Sequence, residues 1–351
     1  MKAASPYKGR GATLNTNNPF SKNDYAAEHI EGLDESFMSD EKTEYLIERP
    51  KKIVNKIESP DVFMEYSLNP YQGCEHGCIY CYARNTHQYW GYSAGLDFER
   101  KILVKPDAPK LLEETLNKKN WEVKPISLSG NTDCYQPAER KFKITRGILE
   151  VLNRYHHPVG IITKNQLVLR DLDLLKQLAE KNLVFVMVSI TTLDENIRRK
   201  LEPRTTSASQ RLKILETLSK NNIPCGVMTA PIIPGINSHE VPELLKAAAN
   251  AGAQTAGYTI VRLNGPIGEI FTAWIHEHFP DRAEKVLSQI AEAHGGQLND
   301  SRAGTRMRGE GKMAESIRLL FHSSKKKYMT DKPKFEFNLT AFRRPGQMNL
   351  W

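Results

Sequence analysis

The sequence predicts an α/β fold built on a parallel sheet. Six short apolar segments, several of them rich in Val, Ile and Thr and bounded by Gly, Pro or Asn, have the pattern of buried strands. Segments with apolar residues three and four positions apart lie between them and indicate amphipathic helices. This alternation implies right-handed crossovers and places functional residues at the carboxyl ends of the strands. It fits an open partial barrel and a doubly wound sheet equally well.

The strand and helix segments follow one another through the middle of the chain. The predicted strands cover residues 63–68, 126–129, 159–163, 184–191, 225–230 and 256–263. The predicted helices cover residues 110–118, 144–155, 172–181, 209–220, 239–251 and 271–293. Pro242 falls in the first turn of one of these helices, where its missing N–H costs no hydrogen bond.

The same pattern divides the chain into three regions. We expect a polar N-terminal extension over residues 1–61, a core over 62–270, and a C-terminal helix with a basic tail over 271–351. Every apolar run is far shorter than the roughly 18 residues that a membrane span needs. The first residues also lack the apolar segment of a secretory signal. We therefore expect a cytoplasmic protein with no membrane partner.

The net charge of +8 is concentrated at the C-terminal end of the chain. Residues 301–351 contain 12 Lys and Arg against 4 Asp and Glu, whereas the preceding 300 residues contain 37 of each sign. Such a tail either stays solvated and aids solubility or contacts a polyanion such as nucleic acid. The sequence leaves both interpretations open.

Three of the five cysteines lie within eight residues, with the spacing C-x3-C-x2-C at Cys74, Cys78 and Cys81. Five cysteines in a chain of this length do not indicate a disulfide framework. Thiolates suit iron–sulfur clusters or zinc, and a structural zinc site needs four protein ligands. Three cysteines therefore favour a cubane cluster with one open iron. The alternative is a zinc knuckle in which His76 is the fourth ligand.

Five segments carry a resemblance to a known family, and they read NPYQGCEHGCIYCYAR, TDCYQPAE, ITKN, SITTLDENIRRKLEPR and APIIPGIN. The cysteine spacing, with Tyr80 as the aromatic residue before the third cysteine, resembles the radical S-adenosylmethionine (SAM) superfamily. The other segments resemble its spore photoproduct lyase-like branch. The resemblance spans about residues 45–320. It implies a partial (β/α)6 TIM-type barrel with N- and C-terminal extensions.

The resemblance also implies the cofactors and the chemistry. Cys74, Cys78 and Cys81 would hold a [4Fe–4S] cluster, whose open iron binds the amino and carboxylate groups of SAM. One electron from the reduced cluster would break a carbon–sulfur bond and give a 5′-deoxyadenosyl radical, which abstracts hydrogen from a substrate. An electron donor such as flavodoxin or ferredoxin is implied as a partner.

Contacts to SAM can be assigned through the resemblance, residue by residue. They are Tyr80 beside the adenine, Asp133 at the amino group, Lys164 at the carboxylate, Ser189 as a hydrogen-bonding group, and Glu202 and Arg204 on the ribose side. The segment around Asp133 departs from the Gly-Gly-Glu motif of many relatives. Each residue also has an ordinary alternative: Asp133 as a turn cap, Lys164 and Arg204 as surface charges, Ser189 as a satisfied strand hydroxyl.

Cys134 and Tyr135 are the candidate catalytic residues. Spore photoproduct lyase uses a cysteine near the end of its second strand as a hydrogen donor, and Cys134 lies in that region although its neighbours do not align. Tyr135 would form part of a polar wall of the active site. The alternative for Cys134 is a small buried filler, as for Cys225 on the fifth strand.

Three functions are consistent with these residues. The first is a radical enzyme that abstracts hydrogen from nucleic acid, as in DNA-repair photolyase-like chemistry. The second is a radical enzyme that modifies a peptide or protein, for which the basic tail is not needed. The third is a nucleic-acid-binding zinc module without catalysis.

Overall fold

The computed structural model describes residues 9–20, 42–62 and 64–345. The strands are β1 (Glu44–Ile47), β2 (Val54–Lys56), β3 (Tyr66–Leu68), β4 (Tyr71–Gln72), β5 (Lys101–Val104), β6 (Ile126–Leu128), β7 (Val159–Thr163), β8 (Val184–Ser189), β9 (Cys225–Ile232) and β10 (Thr255–Ile260).

Helices connect these strands and flank the sheet. The α-helices are α1 (Leu96–Arg100), α2 (Ala108–Leu116), α3 (Ala138–Phe142), α4 (Ile144–Arg154), α5 (Leu172–Ala179), α6 (Glu195–Leu201), α7 (Ala208–Lys220), α8 (Val241–Asn250), α9 (Pro266–His278), α10 (Ala283–Ala293) and α11 (Gly311–Met329). The 3₁₀ segments are Tyr82–Trp90, Gln166–Asp171, Ser238–Glu240 and Pro280–Arg282.

The main sheet is the predicted partial barrel. Within the described residues it has seven strands in the order β10-β9-β8-β7-β6-β3-β2. The six strands β3, β6, β7, β8, β9 and β10 are parallel, and β2 pairs antiparallel with β3 at one edge. The six parallel strands are the six predicted from the sequence, in chain order. This open (β/α)6 arrangement places the carboxyl ends of the strands at one mouth.

Alternation along the strands decides which side chains meet the helices. In β8, Val184, Val186 and Val188 are fully buried in the main core, whereas Phe185 and Met187 between them are only partly buried. Successive side chains of a strand point to opposite faces. The valines therefore pack under the surrounding helices, and the other two residues line the inside of the barrel.

Several element ends differ from the predictions. The helix expected over 271–293 is two helices, α9 and α10, because Pro280 opens a 3₁₀ turn between them. The strand expected over 184–191 ends at Ser189, and the strand expected over 225–230 continues to Ile232. Residue 63, the first residue of the first predicted strand, lies outside the described residues.

A second, smaller sheet lies beside the barrel and was not predicted. Within the described residues it has three strands in the order β1-β5-β4, with β1 parallel and β4 antiparallel to β5. One of its strands, β1, comes from the region expected to be a polar extension. The strands are two to four residues long, too short for a periodicity to be read from the sequence.

The C-terminal region closes the amino end of the barrel. Helix α11 packs against α8 and β10, and the Lys325 ammonium donates to the Ala256 carbonyl at 2.7 Å. The chain then runs beneath the strands, where the Asn338 N–H donates to the Asn182 carbonyl and the Arg343 N–H to the Tyr155 carbonyl, both at 3.0 Å.

Aromatic rings fill the space that this segment covers. The Phe185 and Phe335 ring centroids are 5.1 Å apart, and those of Phe335 and Phe337 are 4.9 Å apart. We call these three residues the floor cluster. No helix among the described residues is both long and apolar enough to cross a bilayer.

Candidate metal and cofactor site

The three cysteines of the predicted metal loop follow the short strands β3 and β4. Cys74 and Cys78 are buried, Cys81 is partly exposed, and all three carry free thiols. The Cys74 N–H donates to the Phe98 carbonyl at 2.8 Å, and the Cys81 N–H donates to the Cys78 carbonyl at 3.3 Å. Main-chain hydrogen bonds therefore fix the loop and leave its thiols available as ligands.

A buried ion pair holds this loop from behind. The Arg84 guanidinium contacts the Glu99 carboxylate at 2.5 Å with both side chains fully buried, and its Nε donates to the Cys78 carbonyl at 3.0 Å. Glu99 also accepts the N–H groups of Gly11 and Ala12 at 3.0 and 2.8 Å. This carboxylate thus joins the metal loop to the N-terminal segment that covers it.

Two glycines make the crossing of these segments possible. Gly77 has a φ of +68°, and a Cβ there would lie 2.8 Å from Oε2 of Glu99. A Cβ on Gly11 would lie 1.7 Å from the carbonyl oxygen of Gly77. Because neither position has room for a side chain, the close approach depends on glycine at both.

The donor set fits a cluster better than a single zinc ion. Burial raises the pKa of all three loop thiols, so a positively charged group must bind before thiolates become the favoured form. A cubane bonds each thiolate to a different iron and can leave its fourth iron open to a small ligand, whereas a structural zinc site needs a fourth protein ligand.

His76, the fourth ligand of the zinc alternative, is engaged elsewhere. Its Nδ1 lies 3.4 Å from Oδ2 of Asp133, and its Nε2 lies 3.2 Å from the Asn165 side-chain amide. Burial lowers the pKa of His76, which favours the neutral ring, with Nδ1–H facing Asp133 and Nε2 accepting from Asn165. Neither ring nitrogen is left for a metal, and the zinc alternative loses its last ligand.

Tyr80 begins a buried charged network at the carboxyl end of the barrel. Its hydroxyl donates to Glu202 and lies 3.2 Å from the Thr191 hydroxyl. Glu202 also contacts Arg211 at 2.5 Å and the Lys164 ammonium at 3.5 Å. Burial alone would raise the pKa of Glu202, but Arg211 and Lys164 outweigh it and hold the pKa well below its usual range. The network therefore carries an ionised carboxylate between two cations.

Asp133 ties the ends of two neighbouring strands together. Its carboxylate accepts from the Thr163 hydroxyl at 2.8 Å, the Lys164 N–H at 2.8 Å and the Tyr135 N–H at 2.9 Å. It thus caps the turn after β6, as its ordinary interpretation predicts, while also fixing the backbone from which the Lys164 side chain reaches Glu202.

Ser189 and Arg204 border the same network. Ser189 is buried at the end of β8, and its carbonyl accepts from Arg211 Nη1 at 2.9 Å. Arg204 is partly exposed, 4.0 Å from the Glu75 carboxylate, and its N–H donates to the His76 carbonyl at 3.3 Å. Five of the predicted cofactor residues therefore meet in the Glu202 and Asp133 networks. Arg204 instead contacts the metal loop, at Glu75 and His76.

Comparison with known families shows the family of the chain. The sequence model of the radical SAM superfamily matches residues 68–248, which include the metal loop and most of the barrel. The chain belongs to the radical SAM superfamily. It is a radical SAM enzyme, and the family implies a [4Fe–4S] cluster and SAM as cofactors and a reductant as a partner.

Two uncharacterized proteins share parts of the sequence. An uncharacterized protein of Mycobacterium tuberculosis is 31% identical over 66% of this chain and 69% of its own length. One of Methanocaldococcus jannaschii is 29% identical over 71% of this chain and 89% of its own.

Solved structures of spore photoproduct lyase have the same fold. The lyase complexed with dinucleoside spore photoproduct has a TM-score of 0.59 at 16% identity, over 81% of this chain and 79% of that one. A double mutant with bound AdoMet and the same dinucleoside has a TM-score of 0.60 at 16% identity, over 84% and 82%.

The two candidate catalytic residues of this radical SAM enzyme lie in the main core. Cys134 is fully buried, and its carbonyl accepts from the Thr145 hydroxyl at 2.6 Å. Tyr135 is also fully buried, and its hydroxyl donates to Asp171 at 3.2 Å. Cys134 matches the filler interpretation in its surroundings, and the hydrogen-donor role stays a prediction.

The sequence reasoning missed the residues that support the radical SAM site. Arg211 lies on α7 and Glu99 on α1, where charged side chains are ordinarily solvent-exposed. Both are nevertheless buried, Arg211 against Glu202 and Glu99 against Arg84. No local sequence pattern predicts that Arg211 and Glu99 are buried, because their partners Glu202 and Arg84 lie in other segments of the chain.

Proposed function

We propose that this radical SAM enzyme abstracts hydrogen from a nucleic-acid substrate. Cys74, Cys78 and Cys81 would hold the [4Fe–4S] cluster at the carboxyl end of the barrel. When bound, the cluster, SAM and one electron from a reductant would supply methionine and a 5′-deoxyadenosyl group able to accept a hydrogen atom from the substrate. The chain's own residues bind and orient these groups and exclude water.

The charged network suits the two ends of SAM. The Lys164 side chain is 16% exposed, so its ammonium can reach a ligand carboxylate while Glu202 restrains it. Tyr80 is anchored by Glu202 beside the metal loop, where an adenine would lie. Ser189 and Asp133 supply polar groups at neighbouring strand ends. Because Glu202 is fully buried, we assign it a positioning role.

The observation that carries the nucleic-acid substrate is the fold shared with spore photoproduct lyase, one of whose structures holds a dinucleoside spore photoproduct. The basic C-terminal region supports the same assignment through its net charge of +8 over residues 301–351. Lys326 and Lys327 on α11 are exposed cations of this region.

An acidic electron donor such as flavodoxin or ferredoxin would dock beside the metal loop, on the side of Glu75. Arg140 and Arg204 line one cleft of about 450 Å³ there. Arg204 is next to Glu75, which lies between Cys74 and Cys78, and Arg10 is within electrostatic range of both Arg204 and Glu75. A basic surface this close to the cluster loop suits a negatively charged partner.

The experiment follows 5′-deoxyadenosine release by anaerobically reconstituted enzyme with SAM and dithionite. Pools of single-stranded DNA, double-stranded DNA, RNA and peptides are added separately. We expect release to rise with one nucleic-acid pool and not with the peptides. Stimulation by the peptide pool alone would replace the nucleic-acid proposal with the modification of a peptide or protein.

A further inference from the structure

Arg262 lies two residues beyond β10, at the edge of the open barrel. The backbone around it is fixed, because the Ile260 N–H donates to the Met307 carbonyl at 2.9 Å and the Leu263 N–H to the Leu298 carbonyl at 2.8 Å. Among the residues that the structure describes, the Arg262 guanidinium has neither a hydrogen bond nor an ion pair. It is nevertheless partly buried.

The acidic groups near Arg262 are already occupied by other donors. Asp61 accepts from the Gly304 N–H at 2.7 Å and pairs with Arg306 at 2.5 Å. Asp300 pairs with Arg302 at 2.9 Å and accepts from the Thr305 hydroxyl at 2.9 Å. Both carboxylates therefore already have other partners, and neither forms an ion pair with Arg262.

The surroundings of Arg262 consequently favour an anion. Burial lowers the pKa of Arg262, and the Arg306 charge lowers it further, while Tyr82, Asp61 and Asp300 oppose this only in part. A partly desolvated cation beside another cation gains free energy when a negative group arrives.

The position of Tyr82 relates this cation to the mouth of the barrel. Tyr82 directly follows the third cysteine of the metal loop, and the residue is 51% exposed. Its hydroxyl donates to the Gly130 carbonyl, just beyond β6. Arg262 follows the carboxyl end of β10, and the Asn85 side-chain amide, three residues after Tyr82, donates to the Asn264 carbonyl at 2.8 Å, so the two segments meet at this mouth.

We propose that Arg262 binds a phosphate group of the substrate at this mouth. The proposal rests on the nucleic-acid function proposed above and names one of its contacts. An arginine fork can form two parallel hydrogen bonds to phosphate oxygens, and every nucleotide of a strand presents such a group beside its base. A peptide offers an anion only at acidic side chains and at its C-terminus, so the site suits nucleic acid better.

The test compares wild-type enzyme with Arg262→Gln, Arg262→Lys and the control Arg49→Gln. Arg49 is exposed, lies outside the basic C-terminal region and pairs with Asp107 at 2.6 Å. Binding of a fluorescein-labelled single-stranded oligonucleotide is measured by anisotropy at several salt concentrations. We expect Arg262→Gln to weaken binding roughly tenfold and to reduce the salt slope by about 0.7, the value for one single-strand phosphate. Arg262→Lys should keep the slope, and Arg49→Gln should match wild type.

The result also separates this proposal from the proposed function. If wild type binds the oligonucleotide and Arg262→Gln binds it equally with an unchanged slope, the phosphate site is wrong and the nucleic-acid function stands. If wild type binds no oligonucleotide, that function loses its support, and thermal unfolding in inorganic phosphate decides the site. If inorganic phosphate raises the melting temperature of wild type but not of Arg262→Gln, the phosphate site is supported. Equal shifts in the two proteins would overturn the site. Circular dichroism and iron content verify that the variant is folded and loaded.

Discussion

The carboxyl end of the barrel is filled by buried charges, whereas its amino end is closed by aromatic rings. At the carboxyl end, Glu202 is fully buried with Arg211 and next to Lys164. At the amino end, the floor cluster of Phe185, Phe335 and Phe337 packs beneath the strands. The C-terminal segment supplies two of those three rings.

The difference shows what each end must do. Burial of apolar surface stabilises a closed end by about 25 cal/mol per Å² and requires no exact orientation of the side chains. Buried ions cost desolvation free energy that only well-placed partners offset, but they hold side chains in one arrangement. The proposed SAM site would need the second kind of end, while the opposite end needs only to be closed.

The first prediction contrasts cysteines at the two ends. Changing Cys74, Cys78 or Cys81 to Ala should abolish the cluster absorbance and SAM cleavage, because each thiolate bonds one iron. Cys225 is the first residue of β9, at the amino end, and Cys225→Ala should keep about four irons per chain. Cys134→Ala should keep them as well. Iron and sulfide analysis after anaerobic reconstitution measures this, and full clusters in all three loop variants would refute the ligand assignment.

The second prediction breaks the charged end. Glu202→Gln removes the carboxylate between Arg211 and Lys164 and leaves two cations side by side in a buried site. We expect a loss of about 3–5 kcal/mol in the free energy of unfolding, the usual cost of an uncompensated buried charge. Chemical denaturation measures it. Glu216→Gln, which removes an exposed pair with Lys220 on α7, is the control and should leave the midpoint unchanged. A variant as stable as this control would show that the network is not structurally required.

The third prediction concerns pH at the uncharged end. His157 is buried beside Phe342, with ring centroids 5.7 Å apart. Burial lowers the pKa of His157 to about 4, although the Pro158 carbonyl opposes this. The unfolded ring has a pKa near 6.5, so its contribution is present above about pH 6.5 and is lost as the pH falls toward 4.

Denaturation at pH 7.0, 5.5 and 4.5 tests this sign. Wild type should lose roughly 2–3 kcal/mol more than His157→Gln over that range. Burial also lowers the pKa of His87 to about 4, so part of the pH dependence should persist in the variant. His276→Gln is the control of opposite sign: the Thr272 and Glu284 contacts raise the pKa of that exposed ring, so its loss should not reduce the destabilisation of the protein at low pH. Identical pH dependence in wild type and His157→Gln would remove His157 from the explanation.

The sequence predicted the barrel because its strands repeat one pattern of apolar residues and breakers. Strand β7 was predicted with the bounds that the structure has. The three cysteines of the candidate metal loop were found in the same way, since their spacing is local, and their role as cluster ligands stays a prediction. These features depend on residues close together in the chain.

The rest depends on contacts between distant residues. Arg84 and Glu99 lie 15 positions apart, and Glu99 meets Ala12 across 87 positions. The basic C-terminal region has the composition of a solvated tail. Its net charge gives no sign of the aromatic rings that pack beneath the barrel. In the sequence, Lys325 is one of three equal lysines, and only its hydrogen bond to the Ala256 carbonyl distinguishes it.

The last prediction separates those three lysines, and its effect is the smallest. Lys325 is bonded to the barrel, while Lys326 and Lys327 are exposed on the same helix turn. If this face binds the substrate, Lys326→Ala/Lys327→Ala should weaken single-stranded oligonucleotide binding severalfold. Its salt slope should fall by about 0.7 for each phosphate that these lysines neutralise in wild type. Lys325→Ala should instead lower the thermal midpoint and leave that slope unchanged. Equal slopes in the double variant and wild type would confine nucleic-acid binding to the barrel mouth and assign these two lysines to solubility.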